Sequence, residues 1–406
     1  MTNEELIIKS EQELKEILNQ IDKNTLTNSK KVLDAFHEYS FSESDLQETV
    51  GYGYNDQGRD KLDNIFAYIF DAESAIVRNQ FISGSHAITI VLQALLRPND
   101  TLLAISGTPY DTLHEVIGIK PNPSSLKSFN INYKEIDLIN NDFDYEKIKE
   151  AVKENIKLIH IQRSRGYSLR DSLTIDKVEK VIKEIREINK DVIIFIDNCY
   201  CEFVEPTSPI KVGANIIAGS LIKNLGAGIA TNGAYIAGDK NLVNLCAERL
   251  TVPGEGREVG PSQGSNRNIA LGIFMAPKVV SEALKTAILT SKVLEEKGLK
   301  TTPRFNDKRA DIVQLIYFNN KEQLINYACS IQHSGAVDSH VSPTPSPMPG
   351  YDNDIIMSSP SFTQGSSIEL SCDGPLRDPL VLFQQGSLTY EYGKIAILNA
   401  LNNLQE

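Results

Sequence analysis

One lysine stands alone in an apolar stretch of the chain. Lys223 is the only charged residue between Lys211 and Asp239, and its neighbours are small or apolar. An amine that loses contact with water has a lower pKa and becomes a nucleophile that attacks aldehydes. A surface lysine that buries only its methylene stem would give the same pattern. The position therefore indicates either a reactive amine or a snorkelling side chain.

Two other segments carry polar groups that suit a phosphorylated cofactor. In the stretch ISGSHAITIVLQALL, Gly84 and Ser85 lead into an amphipathic helix pattern, and the free N–H groups at a helix start bind anions. Asp197 follows the apolar run VIIFI, at the kind of strand end where open α/β sheets bind ligands. The structural alternatives are a serine N-cap and an acidic helix cap.

Together, these groups match the three requirements of pyridoxal phosphate (PLP). Its phosphate needs N–H donors, its pyridine nitrogen needs an acid, and its aldehyde needs an amine. Ser220 precedes Lys223 by three residues and can add a hydroxyl to the phosphate site. The sequence therefore predicts a PLP site at Lys223, Asp197 and the helix start near Gly84.

Strand-like and helix-like patterns alternate in the part of the chain that carries these residues. The apolar, strand-like runs are 101–106, 156–162, 192–197, 214–219 and 233–238. The helical patterns are 85–96, 111–118, 145–154 and 176–189. Such alternation, with nearly continuous apolar strands, predicts an α/β domain whose mostly parallel sheet is covered by helices on both faces.

The two ends of the chain show other patterns. Apolar residues at helical spacing predict a helix over 4–21, and a longer helix over 269–297 is typical of a connector between lobes. The proline-rich segment 342–354 indicates a cluster of turns. The expected division is an N-terminal helical arm and loop over 1–57, a large domain over 58–260, and a connecting helix with a smaller C-terminal domain over 261–406.

Composition argues against several classes of function. The chain has 406 residues and a net charge of −12, which disfavours a broad nucleic-acid-binding surface. No run of about 18 apolar residues occurs and the acidic N-terminus does not resemble a signal peptide, so we expect no membrane partner. Five cysteines in a chain of this size indicate buried thiols in a reducing cytoplasm rather than a disulfide framework or a metal site.

Several motifs of the chain resemble those of one family of PLP enzymes. They are similar to the methionine gamma-lyase-like proteins, also called aluminium resistance proteins, within the cystathionine and methionine lyase group. The matching segments, which span about residues 50 to 380, are YGYNDQGRDKL, FISGSHAI, GTPYDTLHEVIG, IQRSRGYS, FIDNCYCEF, AGSLIKNLGAGIA, VGPSQGSNR, MPGYDNDIIM and QGSSIELSCDGPLRDP. The resemblance implies an α/β fold of the aspartate aminotransferase type, with PLP bound in the large domain.

The resemblance also implies a role for each residue of the cofactor site. Lys223 would bind the aldehyde of PLP covalently, and Asp197 would pair with the pyridine nitrogen. Gly84, Ser85 and Ser220 would bind the phosphate.

Aromatic and basic residues complete the implied site. Tyr110 would stack on the cofactor ring and assist proton transfer, with His86 as the alternative stacking group. Arg377 would bind the carboxylate of a small amino-acid substrate. Tyr52 and Tyr54 would reach the phosphate of a neighbouring subunit, so the resemblance implies a homodimer or homotetramer with shared active sites.

The sequence departs from the better-studied lyases in two places. Tyr54 stands where they carry an arginine, and Arg59 is the candidate substitute. The segment IQRSRGYS replaces a loop that contains an asparagine in those enzymes, and it leaves Gln162, Arg163 and Arg165 without an assigned role. Both changes surround the substrate, so the particular amino acid stays open.

The activity that the resemblance implies is that of a carbon–sulfur lyase. Such an enzyme would act on a sulfur-containing amino acid by β- or γ-elimination. The alternatives on the same fold are a transsulfuration synthase or an aminotransferase. A PLP-binding stress or regulatory protein with little turnover is the alternative from a different class.

Overall fold

A seven-stranded sheet lies at the centre of the larger lobe. The computed structural model describes residues 1–347 and 353–404. The strands of this sheet are β1 (Ser74–Arg78), β2 (Thr101–Ala104), β3 (Asn132–Glu135), β4 (Leu158–Gln162), β5 (Ile193–Asp197), β6 (Ile216–Ser220) and β7 (Ala234–Gly238). Their spatial order is β1-β7-β6-β5-β4-β2-β3, and only β7 runs antiparallel to its neighbours. The prediction of a mostly parallel sheet is therefore confirmed.

Helices cover both faces of this sheet. The helices are α1 (Asn3–Glu38), α2 (Gln57–Ile69), α3 (Gly84–Leu95), α4 (His114–Ile117), α5 (Tyr145–Ala151), α6 (Ile175–Ile188), α7 (Lys240–Leu250), α8 (Ser265–Glu296), α9 (Lys321–His333) and α10 (Tyr390–Asn403). Apolar side chains of α2, α5 and α6 bury one face of the sheet, and those of α3, α4 and α7 bury the other. Since both faces are covered, the central strands are apolar throughout, as in β4 and β6.

Two strands of the large sheet lie outside the predicted runs. The edge strand β3 reads NYKE and is largely exposed, so it lacks the apolar run from which a buried strand is recognised. Strand β1 is fully buried but short, and it pairs only with β7. Strand β7 is antiparallel because residues 221–233 turn back from β6 without a crossover helix.

A separate five-stranded antiparallel sheet forms the smaller lobe. Its strands are β8 (Lys300–Thr302), β9 (Gln314–Tyr317), β10 (Ile355–Ser358), β11 (Ser371–Pro375) and β12 (Val381–Gln385), in the order β10-β11-β12-β9-β8. One face, which includes Ile356, Cys372 and Leu382, packs with apolar residues of α8, α9 and α10. Because side chains alternate along a strand, Asp373 and Phe383 point to the opposite face.

The first helix is longer than the predicted segment 4–21 and joins both lobes. Leu6 and Leu14 of α1 belong to the core of the smaller lobe, whereas Val32 and Ala35 belong to the core beneath the large sheet. Helix α8 begins four residues before its predicted start at 269 and packs along α1. These two helices therefore hold the lobes together.

Two remaining predictions concern segments outside these elements. The proline-rich segment is irregular over residues 342–345, but residues 348–352, which carry part of the MPGYDNDIIM motif, lie outside the described residues. Within the described part of the chain, no helix combines the length and the apolar character that crossing a membrane requires.

Candidate active site

Three polar residues lie side by side where neighbouring strands end. Gln162 ends β4 and is paired in register with Asp197, which ends β5. Asp197 is in turn paired with Ala218 of β6, two residues before Ser220. These side chains therefore lie at the carboxyl edge of the parallel strands, where open α/β folds bind ligands.

Lys223 follows this edge by three residues and lies over an aromatic ring. Its Nζ atom is 4.0 Å from the ring centroid of Tyr200. Burial lowers the pKa of Lys223, but Tyr200, Cys199 and Asp197 raise it by more, so the pKa lies above the usual lysine value. The expectation of a lowered pKa is wrong, because the fold surrounds the amine with groups that favour its charged form.

Asp197 is 5% exposed and is held by the turn that follows its strand. Its Oδ1 atom accepts a hydrogen bond of 3.0 Å from the backbone N–H of Cys199. Tyr200 then adopts a left-handed conformation with φ 69°, which directs the chain back toward Lys223. This turn places an acid, an aromatic ring and an amine around one small space.

The start of α3 lies against the end of β6. Ser83 caps the helix, since its Oγ atom accepts a hydrogen bond of 3.2 Å from the backbone N–H of His86. A Cβ atom on Gly84 would lie 3.1 Å from Cβ of Ser220 and 3.3 Å from Sγ of Cys199. The helix start can approach the strand end this closely because residue 84 has no side chain.

A small cavity joins the predicted cofactor residues. Ser85, Tyr110, Asp197 and Lys223 all line this space of about 40 Å³. Ser220 lies close by but is 1% exposed, and its Oγ atom accepts a hydrogen bond from the N–H of Ile222. The structure therefore brings together a helix start, an acid and an amine, the combination on which the PLP prediction depends.

The two candidates for ring stacking differ in position. Tyr110 lines the small cavity, and its backbone N–H donates a hydrogen bond of 2.8 Å to Oε1 of Gln162. The Nδ1 atom of His86 instead accepts a hydrogen bond from the N–H of Ile82, and its ring packs edge-on against Phe81. Burial lowers the pKa of His86. Since His86 does not line the cavity, Tyr110 is the better placed of the two.

The two arginines of the IQRSRGYS segment are buried beside the sheet edge. Arg163 donates hydrogen bonds to Oδ1 of Asn198 and Oε2 of Glu205, at 2.8 and 2.7 Å. Arg165 lies with its Nε atom 3.9 Å from a carboxylate oxygen of Asp311. Neither arginine lines the small cavity; Arg163 anchors the loop through these two bonds, whereas Nε and Nη2 of Arg165 are buried without a hydrogen-bond partner.

The structure does not bring Arg377 to the cavity. This residue is exposed on the turn after β11, where its N–H donates to the carbonyl of Pro375. The strand passes the site with Ser371 and Asp373 and ends before Arg377 is reached. The assignment of Arg377 as the carboxylate-binding residue therefore rests on the sequence resemblance alone.

Tyr52 and Tyr54 form an exposed aromatic pair that lines neither of the cavities beside Lys223. They are 69% and 57% exposed, and their rings stack with centroids 5.5 Å apart. Arg59 donates hydrogen bonds from Nη1 to the carbonyls of Gly53 and Gly260, at 2.8 and 3.0 Å. The buried guanidinium of Arg59 thus holds the loop, and its role as a substitute phosphate ligand toward a neighbouring subunit stays a prediction.

A larger cavity of about 260 Å³ adjoins Lys223, and sequence reasoning missed several of its residues. Tyr167, Tyr200 and Asp373 line it together with Lys223 and Tyr110. The ring of Tyr167 stacks at 5.9 Å on that of Tyr110 and meets Phe383 of the smaller lobe edge-on. Tyr200 follows Asp197 closely enough to be found from sequence, whereas Asp373 reaches the site only through the packing of the two lobes.

Comparison with known proteins assigns the chain to one family. The family model described as methionine gamma-lyase matches residues 3–405. The uncharacterised protein YnbB of Bacillus subtilis is 42% identical over 413 residues, which cover 100% of this chain and 98% of that protein. A Listeria monocytogenes protein, provisionally named a cystathionine beta-lyase involved in aluminium resistance, has a similar structure with a TM-score of 0.98 and 46% identity, covering 99% of this chain and 100% of that one.

A more distant structure shares the fold. The PLP-dependent protein YhfS of Escherichia coli is 17% identical, with a TM-score of 0.64 over 94% of this chain and 97% of that one. At this identity the likeness concerns the fold alone, and it confirms the expected α/β fold.

Proposed function

The chain belongs to the methionine gamma-lyase family, and on that premise we propose that it is a PLP-dependent carbon–sulfur lyase. Its substrate is a sulfur-containing amino acid, which loses its sulfur group by β- or γ-elimination. The observation that carries the proposal is the small cavity lined by Lys223, Asp197 and Ser85. Family membership implies the cofactor, and this cavity contains the groups that the cofactor requires.

The residues around the small cavity fit PLP. The amine of Lys223 suits the aldehyde, and the carboxylate of Asp197 suits a protonated pyridine nitrogen. The start of α3 at Gly84 and Ser85, with the hydroxyl of Ser220, suits the phosphate. When bound, PLP supplies an electron sink for the negative charge that develops at the substrate Cα.

Proton transfer is the task of the side chains. Nζ of Lys223 takes the proton from Cα, a role in which a positioned base typically contributes about 10²–10⁴-fold. The ammonium group that results lies over the ring of Tyr200 and is stabilised by the nearby carboxylate of Asp197, which also raises its pKa. The phenol of Tyr110 lies where the two cavities meet and assists proton transfer to the leaving sulfur.

We also propose that the active site is completed by a second copy of the chain, in a homodimer or homotetramer. Tyr52 and Tyr54 are exposed, but Arg59 fixes their loop, so the aromatic pair is presented in one conformation. Mixing the inactive Lys223→Ala chain with an inactive Tyr52→Phe, Tyr54→Phe chain should restore part of the activity. Mixed oligomers without activity would contradict shared sites.

The direct test of the function is product analysis with the holo-protein. Methionine, cystathionine and cysteine are incubated separately, with no second substrate, and keto acid, ammonia and thiol are measured. We expect equal amounts of keto acid and ammonia from at least one of them, no activity in Lys223→Ala, and full activity in the control Lys211→Ala, whose side chain is exposed.

Other outcomes of this test identify the alternatives. Turnover that requires a keto acid or a second amino acid would indicate an aminotransferase or a synthase. A yellow protein that is inert with every amino acid would indicate a binding or regulatory role. We place the protein in the cytoplasm, where its five free cysteines would stay reduced.

A further inference from the structure

The cavity of about 260 Å³ beside Lys223 contains one acid. Among the described residues that line it, Lys223 and Asp373 are the charged ones. Lys223 comes from the larger lobe, whereas Asp373 comes from strand β11 of the smaller lobe. The cavity is thus lined by an amine from the larger lobe and a carboxyl group from the smaller lobe.

Strand alternation fixes the direction in which Asp373 points. The residue stands opposite Met357 of β10 and Phe383 of β12, and both of these also line the cavity. Its neighbour Cys372 faces the helices of the smaller lobe. Asp373 therefore lies in the middle strand of a three-stranded segment, with its side chain on the cavity face of the sheet.

The carboxyl group of Asp373 is incompletely paired. The side chain is 7% exposed, and its Oδ1 atom has no hydrogen-bond partner. Burial raises its pKa to about 7, although a hydrogen bond with Tyr167 lowers it. No ion pair in the described part of the chain includes Asp373, and a buried carboxylate without a cation is unfavourable.

Two hydroxyl groups in the same cavity are also unpaired. The Oγ atoms of Ser366 and Ser367 are buried without hydrogen-bond partners, and both residues line the space beside Asp373. A primary ammonium group has three N–H donors and no acceptor. One carboxylate and two hydroxyls are a suitable set of acceptors for it.

We propose that Asp373 binds a second, protonated amino group of the substrate, located on the half of the molecule that leaves with sulfur. The inference rests on the proposed lyase function. The α-amino group of the reacting half is required at the Lys223 side of the cavity, so the group that meets Asp373 must be another one. The preferred substrate is then a thioether that joins two amino acids, as in cystathionine, rather than methionine, which has one amino group.

A matched set of substrates tests this role of Asp373. The set is cystathionine and its two analogues in which one amino group is replaced by hydrogen. The wild-type enzyme should prefer cystathionine in kcat/KM by about 10- to 100-fold, the range expected for a hydrogen bond to a charged group. One of the analogues keeps the α-amino group of the reacting half and lacks only the second amino group; we call it the reactive analogue. Asp373→Asn should lose the preference for cystathionine, while its kcat/KM for the reactive analogue stays near the wild-type value. The control Asp378→Asn, on the exposed turn after β11, should keep the preference.

Two results would overturn the inference. An equal loss for cystathionine and the analogue would mean that Asp373 donates a proton to the leaving sulfur or supports the fold. A wild-type enzyme without preference would mean that no second amino group is recognised. Thermal unfolding checks the fold, and Asp373→Asn should be at least as stable as wild type at pH 8, because the substitution removes an unpaired buried charge.

A binding measurement separates this inference from the proposed function. Calorimetry with the holo form of Lys223→Ala, which does not turn over, gives dissociation constants for cystathionine and the two analogues, with and without Asp373→Asn. If no sulfur amino acid is a substrate of the wild type, the lyase proposal fails, while a binding preference that depends on Asp373 would still support its role. Equal binding of all three ligands would contradict it.

Discussion

Replacing Asp197 by asparagine should remove most of the activity while leaving the fold intact. The amide oxygen of asparagine can still accept the 3.0 Å hydrogen bond from the N–H of Cys199, so the turn that carries Tyr200 is retained. What is lost is a negative charge at a site that is 5% exposed, where water screens it little. Preorganised electrostatic groups of this kind contribute about 10²–10³-fold to kcat, or about 2.7–4 kcal/mol.

The assay compares kcat/KM for the best substrate with the absorbance of the bound cofactor. Asp197→Asn should bind PLP but lose about 10²–10³-fold in kcat/KM. The matched control is Asp191→Asn, an exposed acid just before the same strand, which should behave like wild type. A loss of less than about tenfold, or an equal loss in the control, would refute the role of Asp197 as the partner of the ring nitrogen.

Three further predictions concern the phosphate, the acid of the larger cavity and the exposed arginine. Gly84→Ala should weaken PLP binding to the apo-protein by about 5- to 160-fold in a titration, because its Cβ would lie 3.1 Å from Cβ of Ser220 and overpacking costs about 1–3 kcal/mol. Cystathionine should be preferred more strongly over the analogue that lacks the second amino group as the pH rises through about 7. The pKa of Asp373 is raised to about 7, so its carboxyl group ionises over this range, and only the carboxylate attracts an ammonium group. Among the described residues that line this cavity, the other titratable groups are Tyr110, Tyr167, Tyr200 and Lys223, and a preference that falls over this range would contradict the assignment. Arg377→Ala should change KM by no more than about twofold, as for other surface substitutions, and a steep rise would restore its predicted role at the substrate carboxylate.

Local sequence patterns predicted the part of the site that belongs to the large sheet. The apolar runs that end at Asp197 and precede Lys223 are strands β5 and β6, and their order along the chain is enough to place both residues at one edge. The start of α3 was predicted equally well, because Ser83 and Gly84 form a recognisable helix beginning.

Properties that depend on contacts between distant segments were not predictable in the same way. The pKa of Lys223 is raised rather than lowered because Tyr200 and Cys199 are folded against it, which its own neighbours in sequence do not indicate. Asp373 lies in a short strand of mixed composition, and only the packing of the smaller lobe against the larger one brings it to the cavity. The exposed edge strand β3 was not predicted, because it has no apolar run.

The identity of the lysine that carries the cofactor is the central claim, and one measurement tests it directly. The holo-protein is reduced with borohydride, digested, and analysed by mass spectrometry for a pyridoxyl-modified lysine. The account predicts that the modification lies on Lys223 and that Lys223→Ala gives no modified peptide, while its thermal unfolding still shows a folded protein. Modification of a different lysine, or an unchanged yield in Lys223→Ala, would contradict it.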